Sequence, residues 1–317
     1  MIGTFARGLV AGAAGTTVLN GVSYLDMALR GRSASSVPEH LVDAVSHRVG
    51  RDVPGRGKEK DSRRAAFGAL AGIANGLGTG TLASVARSAG IRFSPPVGAV
   101  LTGAVAMAAT DIPVAALGVS DPRTWTAADW AADAVPHLAF GAAVQAVLGA
   151  VPTAKERATP RNRARVGLTL RSALLGIASG SRSSLGFAGP VLTAPERASA
   201  PARAAAVVAV AGEFVGDKLP RTPPRTSAAG LPPRFLEAVA GATRLAGRER
   251  SNAARPALFA AAGAAAGTWG GLGWRRWAAL RMPDWQAALI EDGAALVLAG
   301  LACLPGRDRV PLVAVSR

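Results

Sequence analysis

Five windows of near-bilayer length contain no charged side chain: 8–25, 65–86, 93–110, 134–154 and 256–274. A helix needs about 20 predominantly apolar residues to cross the hydrocarbon core. On a soluble helix, charge returns with the exposed face every turn or two. These windows therefore restrict the chain to helices that are buried all round or that face lipid. The second half adds weaker windows. Residues 172–192 are interrupted only by Arg182, and 204–215 by Glu213. Residues 285–304 carry Glu291 and Asp292 side by side. Residues 231–247 hold Arg234, Glu237 and Arg244 and suit an interfacial helix. The expectation is an all-α polytopic transmembrane bundle of about seven to nine segments. Its N-terminal module is 1–154, its basic linker 155–168 and its C-terminal module 169–317.

Composition narrows the alternatives. Half of the 317 residues are hydrophobic, only 18% are charged, and the net charge is +16. So apolar a chain is not intrinsically disordered. Its single cysteine rules out an internal disulfide framework and a cysteine-built zinc site. A soluble basic protein that binds nucleic acid and a multi-pass membrane protein with basic loops both remain. A soluble alanine-rich bundle also has some force, because Ala and Gly contribute little to insertion.

The position of the charge favours the membrane class. Residues 30–64 hold nine Lys or Arg and five acids, and 155–171 hold six bases and one acid. Residues 121–133 hold three Asp and one Arg. Basic loops stay cytoplasmic, which puts 155–171 inside and the acidic loop outside. Two arrangements remain open for what precedes. If 8–25, 65–86 and 93–118 all span, the 30–64 loop lies outside, against the rule. If 93–118 is re-entrant from Pro95-Pro96, with Asp111 and Pro113 breaking it, every loop fits. The run after Arg7 has no small-x-small cleavage site before Tyr24 and Asp26, so it reads as the first membrane helix.

Trp125 and Trp130 precede one window, and Trp274, Trp277 and Trp285 bracket a turn between two others. These are headgroup-level positions for an amphipathic ring. Arg161, Arg163 and Arg165 have no interleaved aromatic residues for base stacking. No nucleic-acid partner is expected. The bilayer and its anionic headgroups are.

Glycine recurs at fourfold spacing at Gly68, Gly72, Gly76 and Gly80, and again at Gly263, Gly267 and Gly271. Small-xxx-small steps give a helix a smooth face for another backbone, within one chain or in a homo-oligomer. Both rows lead into arginines, then proline, then another apolar run, as an internal repeat of a helical pair would.

Charged residues within membrane windows are functional candidates. Glu291 and Asp292 form an acidic pair, and Arg182 is the obvious opposite charge. Asp129, Asp133 and His137 follow i, i+4, i+8 spacing and are weak metal candidates, although a solvated helix start fits them better. The chain contains no HExxH, nucleotide loop or GxSxG elbow. No catalytic set and no cofactor are expected.

Three strings in the second half carry a resemblance. They are Gly176-Ile-Ala-Ser-Gly-Ser-Arg-Ser-Ser184, the 212–226 block around Glu213, Asp217, Lys218, Pro224 and Arg225, and Trp274-Arg275-Arg276 with Glu291-Asp292. Together, over 168–305, they resemble the bacterial membrane family 4126 among domains of unknown function. This chain reads Ser184-Leu185-Gly186 where a Thr-Pro-Pro-like break would follow the first string. The resemblance implies a multi-pass membrane protein and no particular activity. Strings at 24–30 and 136–141 resemble those of actinobacterial membrane proteins. The functional expectation is a transporter-like or channel-like protein of the cell membrane. Arg182, Glu213, Asp217, Lys218, Arg225, Glu291 and Asp292 would form its polar pathway. The alternative is a structural or assembly membrane protein that docks through its glycine faces.

Overall fold

A computed structural model describes residues 3–159, 161–217 and 224–304. The described residues form helices and connections, with no strand. The chain divides into two compact units, 1–159 and 160–317.

The first unit contains α1 (Thr4–Arg30), α2 (Val37–Arg48), α3 (Lys58–Ala89), α4 (Pro95–Ala116), α5 (Ala127–Ala150) and the short α6 (Ala154–Ala158). Local chemistry fixes several ends. Gly31 and Gly90 stop α1 and α3 in the left-handed region, at φ 64° and 108°. Pro95 opens α4, where a missing N–H costs nothing. Thr126 and Asp129 close a reciprocal capping box on α5. α1 packs against α3 and α5, α4 packs against α5, and α2 lies on α3. A small core of Ala11, Ala106, Phe140, Val144 and Leu148 joins them.

Arg7 at the start of α1 bonds Ser84 near the end of α3 and the carbonyl of Val151 just after α5. α1 therefore runs opposite to both. Pro38 of α2 meets Gly68 at the other end of α3. Residues 31–57 thus lie at the end of this unit remote from 151–159. α4 is a single helix of 22 residues, so the re-entrant arrangement is corrected. Pro113 falls in its last turn, where the lost hydrogen bond does not break it.

The second unit contains α7 (Val166–Ser181), α8 (Ser184–Leu192), α9 (Ala200–Gly216), α10 (Leu231–Arg248), α11 (Ala254–Ala278) and α12 (Asp284–Cys303). α7 and α11 form the closest pair. α10 lies on both, α12 runs along α7, and α8 joins α9 to α10. The expected 172–192 segment is two helices, divided at Arg182 and Ser183.

Four described helices are long and apolar enough to cross a membrane: α3, α4, α5 and α12. That is fewer than the seven to nine expected. α1 is long, but Thr16, Thr17, Asn20 and Ser23 dilute its apolar character. α7 and α9 are short, at 16 and 17 residues. Most buried apolar residues are alanines, whereas many large side chains point outward. Leu70 and Ile73 of α3, Val100 and Val105 of α4, and Leu296 and Val297 of α12 are all exposed. Trp269, deep in its window, is also on the outer face.

The glycine rows split between partners. In α3, Gly68 meets Pro38, Gly76 meets Thr16 and Gly80 meets Gly12, while an added methyl at Gly72 would touch nothing. In α11, Gly263 and Gly267 lie against the backbone of α7 at Ala173 and Ile177. Gly271 instead makes room for the side chains of Arg225 and Glu291. The two expected repeat pairs have different surroundings: α4 packs mainly on α5, and α12 mainly on α7.

Candidate functional site

The break between α7 and α8 organises the polar side chains of the second unit. A helix leaves its last carbonyls and first amides without internal partners. Away from water, each orphan group costs free energy. The carbonyl of Gly180 accepts from Arg234 Nε at 3.1 Å and Thr268 Oγ1 at 3.2 Å. That of Ser181 accepts from Arg182 Nη1 at 3.2 Å. On the other side, Glu213 reaches over from α9. Its Oε1 accepts from Ser183 N at 2.7 Å and its Oε2 from Ser184 N at 2.7 Å. A carboxylate is the favoured group at a helix N-terminus, and Glu213 caps α8 from another helix.

Arg182 itself holds extended backbone at the end of α7, with φ −138° and ψ 105°. Its side chain turns to two carboxylates. Nη2 lies 2.6 Å from Asp292 Oδ1 and Nη1 lies 2.6 Å from Asp217 Oδ2. Phe214 sits under the guanidinium at 5.7 Å. One position earlier in α12, Glu291 takes a bidentate contact from Arg225, at 2.6 and 3.3 Å. Arg275 approaches the second Glu291 oxygen at 3.7 Å.

Six of the seven sequence-predicted pathway residues therefore meet in one cluster. Arg182, Glu213, Asp217, Arg225, Glu291 and Asp292 are joined through direct ion pairs or through the Arg182–Ser184 break. Lys218 lies outside the described residues. Sequence reading missed Arg234 and Arg275 as members. With them, and with Asp284 at 2.5 Å from Arg275 Nη2, the described cluster holds four arginines and five carboxylates. Arg234 was masked by its amphipathic helix, where a charge reads as a solvated face. Its burial follows from α10 lying across both α7 and α11.

The Asp129, Asp133 and His137 trio does not assemble as three ligands. Asp129 is taken by the Thr126 cap, with Asp129 Oδ2 accepting from Thr126 N at 2.9 Å. His137 Nδ1 turns to Asp133, 3.2 Å from its Oδ1. Asp111 of α4 lines the same cavity as that pair. Among the described residues, no group of three or more His, Cys, Asp or Glu is arranged to hold a metal ion.

The first unit has an ion cluster that sequence reading did not anticipate. Arg7 is fully buried and lies 2.8 Å from Glu156 Oε1, and Arg87 Nε lies 3.2 Å from Glu156 Oε2. Burial pushes the Glu156 carboxyl up, but Arg7 and Arg87 more than reverse that and hold it below its usual range. The i, i+4, i+8 alignment of Arg7 with Ala11 and Gly15 was the available signal, since those two face the core. No family model, curated protein or solved structure matches the chain.

Proposed function

We propose that the chain is a multi-pass protein of the cell membrane with a transporter-like or channel-like activity for a small charged solute. The second unit would carry that activity. The observation behind this reading is the helix broken at Arg182–Ser183 and ringed by ionisable side chains. Broken helices whose ends face a polar site near mid-bilayer are a recurring device of secondary transporters. Buried charges in such a segment usually belong to ion or solute routes. Arg182 divides its contacts between Asp217 at the end of α9 and Asp292 in α12. Exchange of those partners is the simplest way for the break to open and close. The outward-facing large side chains and the alanine interior support a lipid environment. Helices that owe their stability to neighbours, such as α1 and α11, would add further crossings.

The test is flux in proteoliposomes. Glu291→Gln and Asp292→Asn should each lower proton or small-ion flux relative to the unaltered protein. Equal flux in all three proteins would remove the pathway.

One observation favours a second reading, a structural or assembly role. In the described cluster Arg182, Arg225 and Arg275 each lie against carboxylates, as in an ionic lock. The glycine faces would then serve packing in the manner of a glycine zipper, within the chain or between copies. Anionic headgroups would meet the basic 155–171 segment. Under this reading the same substitutions lower stability, and no flux is seen even in the unaltered protein.

A further inference from the structure

Arginines crowd one end of the second unit. Arg171, near the start of α7, reaches Glu249 and, at 2.6 Å, the carbonyl of Leu304. Arg248, at the end of α10, reaches Thr193 just after α8, and Asn162 pairs with Ser251 ahead of α11. These contacts gather the start of α7 and the ends of α8, α10 and α12. The segments that meet there, 161–171, 193–203 and 248–255, hold nine arginines and two glutamates. None contains an aromatic residue on which a nucleobase could stack.

A pocket of about 210 Å³ opens in this end. Leu245 and Cys303 in its lining are buried, whereas Glu196, Arg197 and Leu304 are exposed, so it runs from the packed interior outward. The volume is below that of pockets enclosing drug-sized ligands and suits one compact group.

The three arginines that line it are committed differently. Arg171 is paired with Glu249. Arg197 leans on its neighbour Glu196 at 3.7 Å, with both side chains more than half exposed. Arg248 is held by neutral acceptors: the carbonyls of Pro190 and Cys303 and, at 3.1 Å, the Thr193 hydroxyl. Thr193 donates its own hydrogen to the Gly189 carbonyl at 2.7 Å, which leaves its oxygen to accept from Arg248. Among the described residues, no carboxylate pairs with Arg248. Its contacts use three of the five guanidinium N–H groups and leave the charge uncompensated. A half-buried guanidinium fixed in place without a counter-charge lacks an anion. Phosphate oxygens match the planar fork two at a time, and a third oxygen remains for Arg197 at the rim.

We infer that this pocket binds a phosphate group, held by Arg248 from within and by Arg197 at the rim. A phosphorylated lipid headgroup and free phosphate share that chemistry. Basic ends of membrane proteins face the cytoplasmic leaflet, where such pockets take anionic headgroups. The lipid source rests on the membrane reading above, and the pocket itself does not. Arg171 and Arg182 stand at opposite ends of α7, so the flux test and the binding test can fail separately.

The purified full chain in non-ionic micelles is melted with inorganic phosphate at fixed ionic strength. It is also melted in micelles doped with phosphatidic acid, phosphatidylcholine or oleate. At least one phosphomonoester or free phosphate source should raise Tm saturably, beyond oleate at matched charge and beyond phosphatidylcholine. A rise with phosphatidic acid alone assigns the headgroup, and one with inorganic phosphate assigns the free ion. Arg248→Gln should weaken the apparent affinity at least about tenfold, the scale of one lost charge-assisted contact. Arg197→Gln, at an exposed side chain whose ion pair is with Glu196, should weaken it roughly threefold and keeps the test decisive if Arg248→Gln fails to fold. Arg163→Gln removes the same charge from the same end, outside the pocket, and should leave the affinity unchanged. A loss in Arg163→Gln equal to that in the pocket variants would mean a diffuse basic surface and overturn the assignment. So would no response to either phosphate source, or an equal response to oleate.

Discussion

Removing the Glu156 carboxylate strands a guanidinium that has no exposure to solvent. Arg7 is 0% exposed and the Glu156 side chain 3%. Taking away one partner of such a pair costs about 3–5 kcal/mol, because the remaining charge stays buried and uncompensated. Glu156→Ala should therefore lower stability by about that amount in micelle denaturation. The double change Arg7→Met with Glu156→Leu should recover most of it, since the fully buried charge goes with its partner and only Arg87, whose side chain reaches solvent, is left. Acid acts on the same contact. The Glu156 carboxyl is held below its ordinary range, so its contribution is complete above the unfolded value and is lost as pH falls through the lower folded one. Melting followed from neutral to acid pH should show that loss in the unaltered protein and not in the double variant. Only the place of Arg7 on the core face of α1 was legible in the sequence; its partner was not, because the two residues are 149 positions apart and the glutamate sits in a run of bases.

The glycine row of α3 gives a comparison within one element. Gly72 has open space where a methyl would go, and Gly80 has the Gly12 backbone there. Gly72→Ala should raise stability by roughly 0.5–1 kcal/mol through helix propensity alone. Gly80→Ala, two turns on, should cost about 1–3 kcal/mol by forcing α1 and α3 apart. Thermal melting of the two variants side by side measures both signs. The spacing marks small faces, but it cannot tell which glycines meet a helix, which face open space, and which, like Gly271, admit an ion pair. The division of 172–192 into two helices was equally hidden. Its sequence is nearly charge-free, and the cap that stabilises the second helix comes from Glu213 on another element.

Across whole units, the long charge-free windows do identify an all-helical chain. They overstate its spans because uncharged polar residues lengthen a window without adding apolarity, as Thr16, Thr17, Asn20 and Ser23 do in α1. The convergence of acidic and basic candidates in the second unit was anticipated from opposite charges in separate windows. The place of Arg234 and Arg275 among them was not, because Arg234 reads as part of an interfacial helix and Arg275 follows the end of a window. Within the first unit, residues 31–57 and 151–159 lie at opposite ends of the helices. With Cys303 replaced, single cysteines at Arg51 and at Lys155 should react with an impermeant reagent from opposite faces of a sealed vesicle. Labelling of both from one face would mean that the first unit does not cross the bilayer.

The pairing of Arg182 with Asp292 also sets a timetable. The two residues are 110 positions apart. At ordinary synthesis rates the arginine waits roughly 5–20 s before its counter-charge has been made. During that interval, the Arg182 guanidinium has to be served by water and by Asp217 alone. The last helix of the described chain is therefore the one that allows the second unit to settle. A ribosome stalled before α12 would hold a nascent chain in which Arg182 has only one of its two carboxylate partners.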